Sequence, residues 1–341
     1  MAKTSKILLA HGSGGRLSHD LVAKEFVSPW HNPILDQLND SAVFSLSDDG
    51  SGPRMAFTTD SYVVKPLFFR GGDIGWLAVC GTVNDLAMVG AEPLYLSASF
   101  VIEEGLSLST MRAVVRSMRE AAIEAGVQIV TGDTKVVEGG AADGLFVNTA
   151  GVGLVPPGME IGGDRARVGD AVILSGSIGD HGIAVLSQRE GLEFEVTVES
   201  DVAPLNRLVA AMLAASSNVR VLRDPTRGGL ATSLNEIAAQ SNVGIQIEEQ
   251  KIPLKDGVWA ACEMLGFDPL YVANEGKLVA VVASEDAERV LAAMRATRYG
   301  EEAAVIGQVV AEPAGKVLMK TAIGGTRIVH MLVGEMLPRI C

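Results

Sequence analysis

Apolar residues recur at steps of three and four over 109–125. Met111, Val114, Val115, Met118, Ala122 and Ala125 share one side of a helix there, and Gly126 stops it. The rest of the first half reads as short strands separated by glycine turns: SAVFSLS (41–47), MAFTTDS (55–61), YLSASFVI (95–102) and LFVNTAGVGLV (145–155). Directly after the helix, VQIVTGDTK reads as a buried strand giving way to a loop near Gly132. Proline and glycine crowd into VPPGMEIGGD (155–164), the natural joint between two domains. Beyond it, DAVILSG (170–176) is a buried strand, and amphipathic helices are predicted over 180–190, 206–215, 230–240 and 287–296. Strands near GIQIEE, KLVAVV and AAVIGQVV lie between them. The pattern predicts an α/β protein, with an α+β first domain and an α/β layered second one whose strand order the alternation leaves open. No internal repeat or low-complexity segment interrupts it.

A chain of 341 residues supports two domains, and 48% hydrophobic against 20% charged residues predicts order nearly throughout. The net charge of −13, without a run of basic residues, argues against nucleic-acid binding and turns attention to metals. Mean hydropathy is positive, at +0.28, yet apolar runs such as LVAVVA (278–283) are far shorter than the roughly 18 residues of a membrane span. Two lysines followed by only Ile7, Leu8, Leu9 and Ala10 make no signal-peptide core, so a cytoplasmic protein is expected. Cys80, Cys262 and Cys341 have neither the parity of a disulfide framework nor the spacing of a zinc site. Cys80 and Cys262 sit in apolar runs and read as small core residues, which leaves Cys341, in the terminal LPRIC, for chemistry.

Four aspartates stand at the ends or edges of apolar stretches: Asp40 in LNDSAVF, Asp60 in FTTDSYV, Asp85 in TVNDLAM and Asp133 in TGDTKVV. Singly each reads best as a turn cap. Together they suit Mg²⁺, which needs only a few carboxylates besides nucleotide phosphates. The HGSGGR stretch offers Gly12, Gly14 and Gly15 for close backbone approach to phosphate, although no Walker lysine follows. RDPTRGGL places Asp224 and Arg227 just before a helix N-terminus, where anions are favoured. His11 and His19 are open to an acid–base or a purely structural role.

Taken jointly, AHGSGGR, FTTDSYVVKPLFF, GTVNDLAMVGAEP, VTGDTKVVEGGAADGLFVNTAGVG, SGSIGDHG, RDPTRGGL, ANEGKLV and the terminal PRIC resemble an ATP-dependent superfamily. It includes aminoimidazole ribonucleotide synthetase, selenophosphate synthetase and thiamine-phosphate kinase. The nearest resemblance within it is to the HypE family of carbamoyl dehydratases, which make the cyanide ligand of [NiFe] hydrogenases. That resemblance implies an ATP/Mg-binding and dimerisation domain over 1–157, a C-terminal α/β domain over 158–330 and a mobile tail over 331–341. It implies that Asp40, Asp60, Asp85 and Asp133 hold Mg²⁺ and phosphates, with Asn84, Asn148, Asp224 and Arg227 around them. Relatives often carry two acidic residues where this chain has Asn39 and Asp40.

By the same resemblance, Cys341 takes a carbamoyl group from the carbamoyltransferase HypF, and ATP then drives dehydration to a thiocyanate. The cyanide passes to a HypC–HypD complex, and the enzyme is a homodimer. Dehydration requires a base, for which Glu275 and Lys135 are the candidates, Glu275 as base and Lys135 as orienter or the reverse. Two other readings stay open: a sister kinase or synthetase acting on a free small molecule, and a non-catalytic assembly scaffold switched by ATP.

Overall fold

The computed structural model describes residues 6–47, 49–50, 52–192 and 196–334. A largely exposed leading segment carries α1 (Arg16–Leu21) and α2 (Ser28–Trp30). Then follow β1 (Ala42–Ser45), β2 (Arg54–Tyr62), the small hairpin β3 (Phe68–Phe69) and β4 (Gly72–Asp73), and helix α3 (Ile74–Met88). Next come β5 (Glu92–Glu103), α4 (Leu108–Ala125), β6 (Gln128–Val137) and β7 (Leu145–Val155). The long strands form one sheet in the order β1-β2-β7-β5-β6, which puts β6 at an edge.

Helix α4 follows the predicted spacing, with Ser107 capping its start and Gly126 at φ 78° ending it. Helix α3 escaped that reading. Thirteen of its fifteen residues are buried, so IGWLAVCGTVNDLAM is apolar on every side and shows no period. Its start is fixed by Asp73, whose Oδ1 accepts from the Gly75 and Trp76 amides at 2.7 and 3.2 Å. Strand β6 does not stop at Gly132: it stays paired with β5 through Val137, so Asp133 and Lys135 are strand residues.

The second half contributes β8 (Ala171–Leu174), α5 (Asp180–Glu190), α6 (Asn206–Ala215), β9 (Val219–Arg223), α7 (Gly229–Gln240), β10 (Gly244–Glu248) and α8 (Asp256–Leu265). It closes with β11 (Val279–Val282), α9 (Ala287–Arg295), β12 (Ala304–Val310), β13 (Lys316–Lys320) and β14 (Thr326–Val329). The sheet order is β14-β13-β10-β12-β8-β11-β9, and only β10 and β13 pair in parallel. Helices and strands alternate along the chain without making a parallel sheet.

The two halves share apolar packing. Val185, Val202 and Ala273 join the cluster around α3 and α4, while Ala87 and Met88 of α3 join the cluster of the second half. Helix α3 is thus a pillar common to both. Leu77, fully buried on it, is expected to cost about 2–5 kcal/mol when cut to alanine, read as a lower urea midpoint at unchanged slope.

Candidate active site

The two glycine-rich stretches meet. Gly14 has φ +79°, and a Cβ there would come within 2.5 Å of the Arg227 backbone, so only glycine lets the turn rest on the RDPTRGGL loop. Gly14 N–H donates to Ser18 Oγ at 2.9 Å and Arg16 N–H to the Leu332 carbonyl at 2.8 Å. Ser13 Oγ donates to the Gly334 carbonyl at 3.0 Å, so the last described residues run beside this turn. A Cβ at Gly12 would meet open space, whereas one at Gly15 would collide with the Leu332 carbonyl. Between the loops lies a cavity of about 350 Å³, lined among others by His19, Asp40, Arg223, Asp224, Arg227 and Glu236. That volume is in the range of a small-molecule site.

Asp40 arrives from the loop before β1 and meets Arg223, the last residue of β9, at 2.6 Å, with side chains 13% and 9% exposed. Arg223 also donates to the Leu38 carbonyl and Gln240 Oε1, so the guanidinium pins the leading segment onto the second half. Asn39 Oδ1 accepts from the Gly163 amide at 3.1 Å, which gives Asn39 a structural role beside Asp40.

Asp60 projects from β2 on the same face as Thr58, whose hydroxyl donates to Asp85 Oδ2 of α3 at 2.8 Å. Burial pushes Asp85 well above the usual carboxylate range, and the charges of Asp224, Asp60 and Asp40 push it further, against the Thr58 hydrogen bond. Asp224, half open to the cavity but enclosed by protein, is raised to about 8 by burial and by Asp40. Glu275, nearly inaccessible in the turn before β11, is raised well above normal by burial and then by Asp224, Asp60 and Asp201, with Arg227 opposing. Thr58 Oγ1 lies 3.1 Å from the Asp40 carbonyl and 2.8 Å from Asp85 Oδ2, Asp40 and Asp224 line the cavity, and the charges of Asp60 and Asp224 act on both Asp85 and Glu275. The donor set of these carboxylates fits a dication that takes one or two carboxylates and leaves the remaining positions to phosphate and water. No cluster among the described residues forms a self-sufficient metal cage.

Asp133 does not join them within one chain. The register lines up Ser61, Asn148, Ser99 and Asp133 in one row across β2, β7, β5 and β6, whereas Asp60 pairs with Thr149 in the next. Thr149 Oγ1 donates to the Ala78 carbonyl, so the Asp60 row faces α3 and the Asp133 row faces the other way. Three strand spacings also separate Asp133 from Ser61, roughly 14 Å. Lys135, on the same side, pairs with Asp133, both largely exposed, and its hydrogen bond lowers the Asp133 pKa.

The Asn84 amide is already committed: it donates to the carbonyls of Ala203 and Glu275 at 3.1 and 3.2 Å and accepts from Leu205 N–H at 2.8 Å. It is a brace between the halves, not an open ligand. Asn148 donates to the Asp60 carbonyl and Ser61 Oγ on the open face. Cys80 and Cys262 are buried thiols with raised pKa values, Cys262 at about 11. Cys341 lies outside the described residues. The sequence reading missed Arg223 and Glu236, although RDPTRGGL begins with the former; an arginine closing a buried strand was the available signal.

This pair of sheets and its site define an AIR synthase related protein: the model of that family's N-terminal domain matches residues 38–155 and that of its C-terminal domain residues 167–320. The carbamoyl dehydratase HypE of Azotobacter vinelandii is 56% identical over 99% of this chain and 98% of its own length. A crystal structure of hydrogenase maturation protein HypE in complex with ATP is 52% identical, with a TM-score of 0.82 over 98% of this chain and all of that one. HypE in a HypE–HypF complex superposes with a TM-score of 0.87 at 47% identity, over 92% of this chain and 99% of that one. The chain belongs to the HypE family of carbamoyl dehydratases. No helix among the described residues is long and apolar enough to cross a membrane.

Arg223→Ala strands the Asp40 carboxylate and is expected to destabilise the fold by about 3–5 kcal/mol in urea titration. For Asp224 the folded pKa, about 8, lies above the ordinary 3.8, so the folded state holds the proton more tightly. Its stabilisation is complete below pH 4 and is lost as pH rises to about 8. Asp224→Asn is therefore expected to flatten the fall in Tm between pH 4 and 8 in ligand-free protein.

Proposed function

We propose that this chain uses ATP to dehydrate a carboxamide carried on its own Cys341 to a thiocyanate, supplying cyanide for [NiFe] hydrogenase maturation. One observation supports it above the others. A carboxylate-rich cavity with two arginines lies beside the last described residues, Met331 lining it and Gly334 bonded at its rim. Residues 335–341 add at most roughly 25 Å of chain, enough to bring a thiol on Cys341 back to that cavity.

Carbamoylation by HypF leaves Cys–S–C(=O)–NH₂. The carboxamide oxygen forms a bond to the γ-phosphorus of ATP as the bond to ADP breaks, and one nitrogen proton leaves. Loss of the second proton then breaks the C–O bond, expels phosphate and completes C≡N. Arg227 and the amides of the glycine turn orient and neutralise phosphate in this reading. Asp60 and Asp85, with Asp40 and Asp224 close by, would hold Mg²⁺, which would supply charge neutralisation for phosphoryl transfer. Glu275 receives the nitrogen proton. Raised as it is in the isolated chain, it becomes an effective base once a cation stands beside it, and the Lys135 ammonium suits that task.

Lys135 and Asp133 come from a second copy in this reading. The open sheet face carries Phe57, Tyr95 and Leu154, each more than 40% exposed, and β6 leaves one edge unpaired with Val130 and Val136 exposed. A homodimer built on this face covers that surface and sets the partner copy's Asp133 row against Ser61 and Asn148, beside the strand that carries Asp60. The protein then works in the cytoplasm, receiving its carbamoyl group from HypF and passing cyanide to a HypC–HypD complex.

The test is mass spectrometry of the C-terminal peptide after incubation with HypF, carbamoyl phosphate and Mg-ATP. A carbamoyl adduct on Cys341 that loses the mass of one water only with cleavable ATP is expected; an unmodified Cys341 beside active HypF sinks the mechanism. Lys135→Ala and Glu275→Gln are each expected to bind ATP normally and to abolish water loss. Mixing the two dead variants restores roughly a quarter of the activity if sites are shared between copies, by random pairing of subunits. No recovery on mixing, with subunit exchange demonstrated, places both residues in one chain.

A further inference from the structure

Both backbone groups of Glu275 are held by side chains. Its N–H donates to Asp201 Oδ1 at 3.1 Å, and its carbonyl accepts from Asn84 Nδ2 at 3.2 Å. The Asp201 side chain is 1% exposed, and its other oxygen lies 3.4 Å from the Lys277 ammonium. Asn274, one residue earlier, donates to the Pro225 carbonyl at 2.8 Å and accepts from Gly179 N–H at 2.7 Å, tying the same turn to the loop that carries Asp224. At Gly276 an added Cβ would overlap the Asp201 carbonyl and come 2.9 Å from Ala203 N, so the 201–203 segment is pressed against the turn.

The buried Asp201 carboxylate divides between the Glu275 amide and the Lys277 ammonium, toward which Oδ2 makes an ion pair without a hydrogen bond. Such a buried pair adds little net stability over apolar packing of both partners. Glu275, by contrast, gains from a rigid mount: it must meet a nitrogen proton on a substrate tethered to the chain itself. Asn84 adds a connection. It precedes Asp85 on α3, so one helical turn fixes both a carboxylate of the phosphate side and the carbonyl of the base.

We infer that Asp201, with Asn84, is a positioning residue that sets the Glu275 carboxylate against the substrate nitrogen, in register with the phosphate side of the site. The inference rests on Glu275 as the base. It predicts that loss of the clamp slows dehydration while ATP affinity holds, since the clamp touches the base and no face of the cavity.

The experiment measures single-turnover conversion of the carbamoylated full chain to thiocyanate by mass, with ATP affinity and Tm measured in parallel. Asp201→Ala is expected to slow conversion about 100-fold, the scale of an ångström's misplacement, with ATP Kd unchanged. Asp201→Asn, which keeps an acceptor for the Glu275 amide, is expected to recover to within about tenfold of wild type. In a Glu275→Asp background, where the carboxylate is already set back, Asp201→Ala is expected to cost less than tenfold more. Equal losses in the two backgrounds, or wild-type conversion by Asp201→Ala, overturn the inference. Wild-type conversion by Glu275→Gln overturns instead the assignment of the base. Should Asp201→Ala fail to fold, Asp201→Asn decides: a loss of about 100-fold despite the retained acceptor for the Glu275 amide overturns the inference.

Discussion

Five carboxylates whose charges act on one another where protein covers them are the constraint on which this molecule turns. Asp40, Asp60, Asp85, Asp224 and Glu275 come from five separate elements, and the charge of each makes it harder to ionise another. A chain left to minimise its own free energy would spread them over the surface. Here the fold spends specific devices on holding them together: the Asp40–Arg223 pair, the Thr58 hydroxyl on Asp85, and the Asn84 brace through which α3 grips the second half. Such a site is unfavourable when bare, and a cation entering it would relieve the same repulsion that opposes folding around it.

The same reasoning explains what could be read from the chain alone. Helix α4 has one wet and one dry face, and its period shows in the sequence. Helix α3 is dry all round, so the element joining the two halves is the one whose pattern carried no signal. Strand β6 misled in the opposite sense. Its residues are exposed on both faces, TGDTK reads as a loop, and only pairing with β5 shows it to be a strand. The aspartates were legible as a group because each sits where an apolar run ends, but their grouping was not. Alternation along β2 and β6 sends Asp60 and Asp133 to opposite sides of one sheet, which no spacing in sequence reveals without the register. Asn84 stood out beside Asp85 and proved to be spoken for by backbone groups on three residues.

Tethering gives the remaining step its physical sense. A carboxamide oxygen is a weak nucleophile and a carboxamide nitrogen a weak acid, so the reaction depends on placement more than on any single strong catalyst. A substrate linked to the enzyme's own chain is held at high effective concentration without a binding pocket for its small, polar body. A tether raises the local concentration of its substrate without fixing its orientation. Orientation therefore has to come from the rigid side of the encounter. The turn at 274–277 has that character, with Asn274, Glu275 and Gly276 each fixed by a neighbour from a different part of the fold. The buried polar contacts around Glu275 hold its backbone from both sides and give the waiting side of that encounter its fixed geometry.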